Sequence, residues 1–211
     1  MKDYQSVVLR LRKALDLYAN LRPVKGDGFD IMIVRENTEG LYSGIEQIST
    51  DRATTLRVVS RRGTERIVRS AIRLAHQRSG RLTIGHKANV LKSDVLFRDI
   101  CLAEANAAGL SCNDKFIDAL ALDILQHPAS YDVVVTTNIF GDILSDVASY
   151  LVGGLGLVPS ANIGDHHALF EPVHGSAPDI AGKNSANPIA ALRSAGMLLA
   201  YCGDPQGIGP Y

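Results

Sequence analysis

Apolar residues recur at helical spacing over residues 64–79, where Ile67, Val68, Ala71, Leu74 and Ala75 fall on one stripe. The same period predicts helices over 6–20, 93–108 (closed by Gly109), 117–126, about 141–152 and 187–201. Short apolar runs between them, 30–34, 82–85 and 131–136, read as strands, and the unbroken Val133-Val134-Val135 marks the last as buried. Residues 54–60 are a further strand candidate. The first helix is expected to end before Arg22-Pro23, because a proline ring clashes with the preceding helical turn. Residues 25–30 are expected to turn at Gly26 and Gly28, and Gly153-Gly154-Leu155-Gly156 breaks the pattern after 152. Helices alternating with strands predict an α/β protein.

Composition narrows the picture. Of the 211 residues, 46% are hydrophobic and 21% charged, enough apolar material for a real core. Twenty-two basic residues balance twenty-two acidic ones, so nothing suggests a general nucleic-acid or membrane surface, and an anionic partner must be held by a few placed cations. Cys101, Cys112 and Cys202 are too scattered for a disulfide framework or a zinc site, which fits a reducing, cytoplasmic setting. Met1-Lys2-Asp3-Tyr4 carries no signal-peptide hydrophobic run, and no apolar stretch is long enough to span a bilayer.

Candidate chemistry lies in three segments. Asn138-Ile139-Phe140-Gly141-Asp142-Ile143-Leu144-Ser145-Asp146 follows an apolar strand and opens a helix, which puts Asp142 and Asp146 on one face about 6 Å apart along the axis. Two carboxylates that close repel unless a cation or protons lie between them, and oxygen-only ligands suit Mg²⁺ or Mn²⁺. A solvated helix face with Asp142 as a cap is the plain alternative. In Val34-Arg35-Glu36-Asn37-Thr38-Glu39-Gly40-Leu41-Tyr42, an arginine that can fork onto a carboxylate and a tyrosine that can donate a proton follow a strand. Arg12 and Arg22 would complete a set of three cations with Arg35, and Lys87 ends a strand, a suitable place for a catalytic amine. Glu171-Pro172-Val173-His174-Gly175-Ser176-Ala177-Pro178-Asp179, continuing to Gly182 and Asn187, is a glycine- and proline-shaped loop that could approach a nucleotide, with Asp179 able to accept from ribose hydroxyls. No G-x-G-x-x-G follows a strand, so a Rossmann fingerprint is excluded.

Taken together and in this order, these segments resemble the β-decarboxylating dehydrogenase family of isocitrate, isopropylmalate and homoisocitrate enzymes, over residues 6–201. The resemblance implies that family's two-domain α/β fold, a divalent metal (Mg or Mn), NAD and a homodimer or larger homo-oligomer. It implies that Arg12, Arg22 and Arg35 hold substrate carboxylates, with Ser6 and Val8 on the same helix reading the substrate's variable part. Tyr42 matches the residue that protonates the enol, and Lys87 the proton-relay lysine acting across the dimer interface. Asp142 and Asp146 match metal ligands of one subunit, and Asp118 a metal carboxylate crossing the interface. Glu171, His174, Gly175, Ala177, Asp179 and Asn187 match the adenosine side of the cofactor site, and a carboxylate at 179 would repel a 2′-phosphate, favouring NAD.

Ser6 with an aliphatic Val8 is a mixture similar to homoisocitrate-type enzymes, so the expected reaction is NAD-dependent oxidative decarboxylation of homoisocitrate or isocitrate. Isopropylmalate is the alternative substrate, and a catalytically silent homologue that dimerises or binds ligand is the alternative role. Residues 18–152 are expected to form a small domain, with 1–17 and 153–211 an incomplete large domain. The chain is expected to be cut short at its N-terminus, and a mitochondrial matrix location would apply if a missing leader carried a transit peptide.

Overall fold

The computed structural model describes residues 6–203. In chain order these form α1 (Val7–Ala14), β1 (Ala19–Gly26), β2 (Phe29–Glu36), β3 (Glu46–Ile48), β4 (Ala53–Thr55), α2 (Arg61–Gln77), β5 (Arg81–His86) and α3 (Lys92–Ala107). They continue with β6 (Ser111–Phe116), α4 (Ile117–Gln126), β7 (Val133–Thr136), α5 (Asn138–Ser149), β8 (Pro159–Ile163), β9 (Ala168–Pro172) and α6 (Ile189–Gly203). Seven strands build one sheet in the order β6-β5-β7-β2-β1-β8-β9. The first four run parallel, while β1, β8 and β9 join antiparallel to their neighbours. The expected α/β class is what the chain adopts.

Strand alternation splits the core into two layers. Met32, Val34, Leu82, Ile84, Val133 and Val135 pack with the apolar stripes of α2 and α3. Ile31, Ile33 and Val134 face the other way, against Leu120 and Ile124 of α4 and Leu144 and Ala148 of α5. Each such side chain taken fully out of water contributes about 1.5–3 kcal/mol.

The helix expected over 6–20 is corrected. α1 stops at Ala14, Asp16 takes φ 47°, and residues 17–24 are buried without interruption. A run buried on every side suits a sheet interior better than an amphipathic helix. Pro23 does not end α1, which stops at Ala14; it sits inside β1 and is tolerated there. Its partner Met32 turns its N–H away toward Asp132 O (2.7 Å), and β8 pairs only with residues 19–21, so no neighbour asks Pro23 for a donor. The expected turn closes β1 and β2 through Asp27-Gly28, with Gly28 at φ 75°. The strand expected over 54–60 shrinks to β4, an exposed hairpin partner of β3, plus one bridge between Gly40 and Val58.

Strands β3, β6, β8 and β9 were not among the expected elements. The sheet also runs unbroken from β1 to β8, across the boundary expected at 152/153. The outermost residues of the expected large domain, 1–5 and 204–211, lie outside the described residues, as does the Met1–Tyr4 stretch read for a leader. No described helix is long and apolar enough to cross a membrane.

Candidate active site

Several of the residues singled out for chemistry lie at the carboxyl ends of the parallel strands, where open α/β sheets place their ligands. Arg35 closes β2 beside Thr136 at the end of β7, and α5 starts two residues later. Lys87 follows β5 and Asp118 follows β6.

Local sequence explains how Arg35 and Tyr42 reach the cleft. Buried Glu36 accepts from Thr38 N (2.8 Å), Thr38 Oγ1 (2.7 Å) and Glu39 N (2.9 Å), folding the chain back after β2. Burial pushes the Glu36 carboxyl up despite these bonds. Glu39 accepts from Ser60 N (2.7 Å) and binds the Ser60 hydroxyl, anchoring the residue that caps α2. Two carboxylates of this motif therefore shape the turn that brings Arg35 and Tyr42 to the cleft.

Asp142 is the focus of the cleft. Its Oδ1 pairs with Arg35 Nη1 and with Arg22 Nη2 (3.0 Å), and its Oδ2 accepts from Tyr42 OH (3.0 Å). Arg35 also donates to Asn138 Oδ1 from Nε (3.1 Å) and Nη2 (2.7 Å), and its guanidinium carbon sits 5.5 Å from the Tyr42 ring centre. Arg22 donates to Ser145 Oγ (2.5 Å) and lies 3.6 Å from Asp146 Oδ1. Arg12 pairs with Glu171 Oε1 at 3.2 Å. A cleft of about 310 Å³ joins these groups, lined by Arg12, Arg22, Arg35, Tyr42, Asp142 and Glu171, with Ser6, Val8 and Leu9 along one side and His174 and Gly175 at another. A larger hollow of about 390 Å³ lies elsewhere, between α6 and residues such as Pro23 and Pro159, and holds none of these groups.

The electrostatics follow from crowding three cations into a mostly buried space. Burial first, and then the charge of Arg22, bring Arg35 down to about 10, with Asp142 opposing. Burial likewise lowers Arg22. For Asp142, burial works upward, but Arg35 and Arg22 outweigh it and hold the carboxyl below its ordinary value. Burial and the Asp142 charge raise Tyr42, keeping the phenol protonated. Burial raises Asp146 against the pull of Arg22, with the neighbouring Asp142 charge adding to the rise.

Asp142 and Asp146, one helical turn apart, are held together despite that repulsion, and their oxygen-only donor set fits a hard divalent cation. Among the described residues no three His, Cys, Asp or Glu side chains gather as a metal site. Asp118 is not part of this cleft. It pairs with Lys87 Nζ at a separate, more exposed place. Of the cofactor-loop candidates, Glu171 faces the cleft through its Arg12 pair, and His174 and Gly175 reach it. Ala177 takes φ 42° just before the one-turn helix that carries Asp179, and Asn187 Oδ1 accepts from Ile189 N (3.0 Å) at the start of α6. Residues 174–189 are exposed except for partly buried Ile180.

Sequence reasoning passed over Asn138, Asn20 and Asn162. The last two are amides flanked by apolar neighbours, in Ala19-Asn20-Leu21 and Ala161-Asn162-Ile163, and both are fully buried. Polar residues inside otherwise apolar extended runs are the available signal, and β1 and β8 hide it because neither shows the alternation of a half-buried strand.

A family model described as isocitrate/isopropylmalate dehydrogenase matches residues 2–206. A homoisocitrate dehydrogenase of Methanocaldococcus jannaschii is 46% identical over 98% of this chain and 65% of its own length. A 3-isopropylmalate/3-methylmalate dehydrogenase of the same organism is 51% identical over 94% of this chain and 64% of its own. An isocitrate/homoisocitrate dehydrogenase of Thermus thermophilus is 51% identical over 93% and 62%. The crystal structure of isocitrate dehydrogenase from Methylococcus capsulatus superposes with a TM-score of 0.91 at 45% identity, covering 98% of this chain and 66% of that one. The chain thus spans a little under two thirds of the length of these curated relatives. With matches of this extent and identity, the chain belongs to the isocitrate/isopropylmalate dehydrogenase family.

Proposed function

We propose that this chain carries the substrate half of an NAD-dependent dehydrogenase that oxidatively decarboxylates a 2-hydroxy-3-carboxy acid, homoisocitrate or isocitrate. The observation that carries the reading is the convergence of Arg12, Arg22, Arg35 and Tyr42 on the cleft beside Asp142 and Asp146. Three guanidiniums suit a substrate with several carboxylates, because each can fork onto one carboxylate with two parallel bonds.

In this reading Arg12, Arg22 and Arg35 orient the substrate, and their burial excludes water from its carboxylates. Tyr42, protonated and held by Asp142, delivers a proton to the carbon left by departing CO₂. Asp142 and Asp146 would hold Mg²⁺ or Mn²⁺, which supplies Lewis-acid stabilisation of negative charge on the substrate oxygens. The exposed 171–187 loop, with His174, Gly175, Ala177, Asp179 and Asn187, would hold the adenosine side of NAD, the hydride acceptor. Lys87 and Asp118, paired with each other away from the cleft, would serve the site of a second copy in a homodimer, with Lys87 moving the hydroxyl proton.

A second substrate, isopropylmalate, is favoured by one observation: Val8 and Leu9 give the cleft an apolar wall. The test is NADH formation by the purified chain with Mg²⁺ and homoisocitrate, isocitrate or isopropylmalate in turn. Turnover with either of the first two would bear the reading out. Turnover with isopropylmalate alone would move the assignment to the second substrate. Absence of turnover with all three, alongside measurable dimerisation, would point to a catalytically silent homologue.

A further inference from the structure

Beneath the cleft, Arg12 and Arg22 are joined through a chain of buried amides. Arg22 Nε donates to Asn20 Oδ1 (2.6 Å), and Asn20 Nδ2 donates to Asn162 Oδ1 (3.0 Å). Asn37 Nδ2 donates to the same oxygen (3.0 Å). Asn162 Nδ2 donates to Leu169 O (3.3 Å) and to Glu171 Oε1 (3.0 Å), the oxygen that pairs with Arg12. Asn162 therefore uses both donors and both acceptor positions, and turning its amide over would set two N–H groups against two others. Its orientation is fixed. It faces Asn20 directly in the β1–β8 ladder, and it touches side chains or backbone from β1, β9 and the turn after β2.

Three amides at 0–3% exposure are a costly way to join strands that apolar residues would join as well. What apolar residues could not do is hold two guanidiniums that come from different elements, α1 and β1. We propose that Asn162 is a positioning residue that fixes the spacing of Arg12 and Arg22, and so sets the separation of the two substrate carboxylates the cleft accepts. This rests on the reading that these arginines hold carboxylates.

The test is calorimetric binding of propane-1,2,3-tricarboxylate, which needs neither turnover nor NAD. Asn162→Asp keeps the acceptor for Asn20 and Asn37 but loses the donor and sets a carboxylate against Glu171. Its affinity is expected to fall at least tenfold. The ratio of affinities for glutarate and succinate, whose carboxylates differ in separation by one methylene, is expected to change in the variant, whereas a merely structural defect would weaken both alike. Asn162→Ser, too short to span Asn20 and Glu171 together, should show the same loss, and it keeps the question decidable if Asn162→Asp misfolds. Folded variants that bind within about twofold of the wild type would overturn the inference, as would a loss that leaves the glutarate-to-succinate ratio unchanged. Failure of the wild type itself to bind would instead remove the reading of the arginines on which the inference stands.

Discussion

A Cβ on Gly141 would lie 2.6 Å from the Cβ of Arg35, so β2 and α5 meet this closely only because residue 141 has no side chain. That contact sets Asp142, the next residue, against the Arg35 guanidinium. Gly141→Ala should force the two elements apart, costing about 1–3 kcal/mol of stability as overpacking does. A urea unfolding midpoint equal to the wild type's, with unchanged tricarboxylate binding, would contradict this.

Tyr42→Phe removes the hydroxyl that donates to Asp142 Oδ2 and the acid proposed for carbon protonation, but leaves the arginines in place. Oxidation of the hydroxyl should persist while release of the final keto acid is impaired, seen by following NADH and keto acid separately. Equal loss of both would sink the assignment.

Asp146 is about half-exposed, with Arg22 at 3.6 Å as its ion-pair partner. Asp146→Asn should therefore fold normally yet weaken Mg²⁺ binding by about tenfold or more, since even outer partners of a metal site are worth that much. Calorimetric titration with Mg²⁺ in the presence of the tricarboxylate is the check, and an unchanged affinity would remove Asp146 from the metal site.

Asp132 offers a pH prediction away from the cleft. Burial alone would raise its pKa, but the Ser79 hydroxyl, Arg78 Nε (2.6 Å) and Ser79 N (2.9 Å) outweigh it and lower the carboxyl below its ordinary value. The folded state then binds fewer protons than the unfolded one in acid. The stabilisation is complete above the unfolded pKa of about 4 and is lost as pH falls through the lower folded value. Asp132→Asn should cost about 2–3 kcal/mol at pH 7 and flatten the loss of stability below about pH 4. Unfolding free energies measured from pH 7 to pH 3 would show both effects or neither.

The helices with one clean apolar stripe were legible from sequence. α2 and α4 appear where periodicity placed them, and the valine run gave β7. β1 was not legible, because a run buried on all sides loses the alternation that separates strand from helix, and Pro23 looked like a helix stop. β6 escaped because its residues are mostly exposed and polar at an edge of the sheet. In the site, arginines and carboxylates stood out as residue types. The amides of Asn20, Asn162 and Asn138 did not, because an asparagine's importance lies in its partners, and those partners come from strands far apart in the chain.

The two-residue turn at Asp27-Gly28 has a consequence for how the molecule assembles. It places Arg22 and Arg35 on one hairpin whose pairing spans only residues 19–36, while Asp142 arrives from more than one hundred residues later. Short loops close faster than long ones. The nascent chain thus gathers two like charges before their counter-charge exists, and their mutual repulsion opposes the hairpin until α5 docks. Added salt, by screening those cations, should quicken the early steps of folding even where it weakens the finished ion pairs.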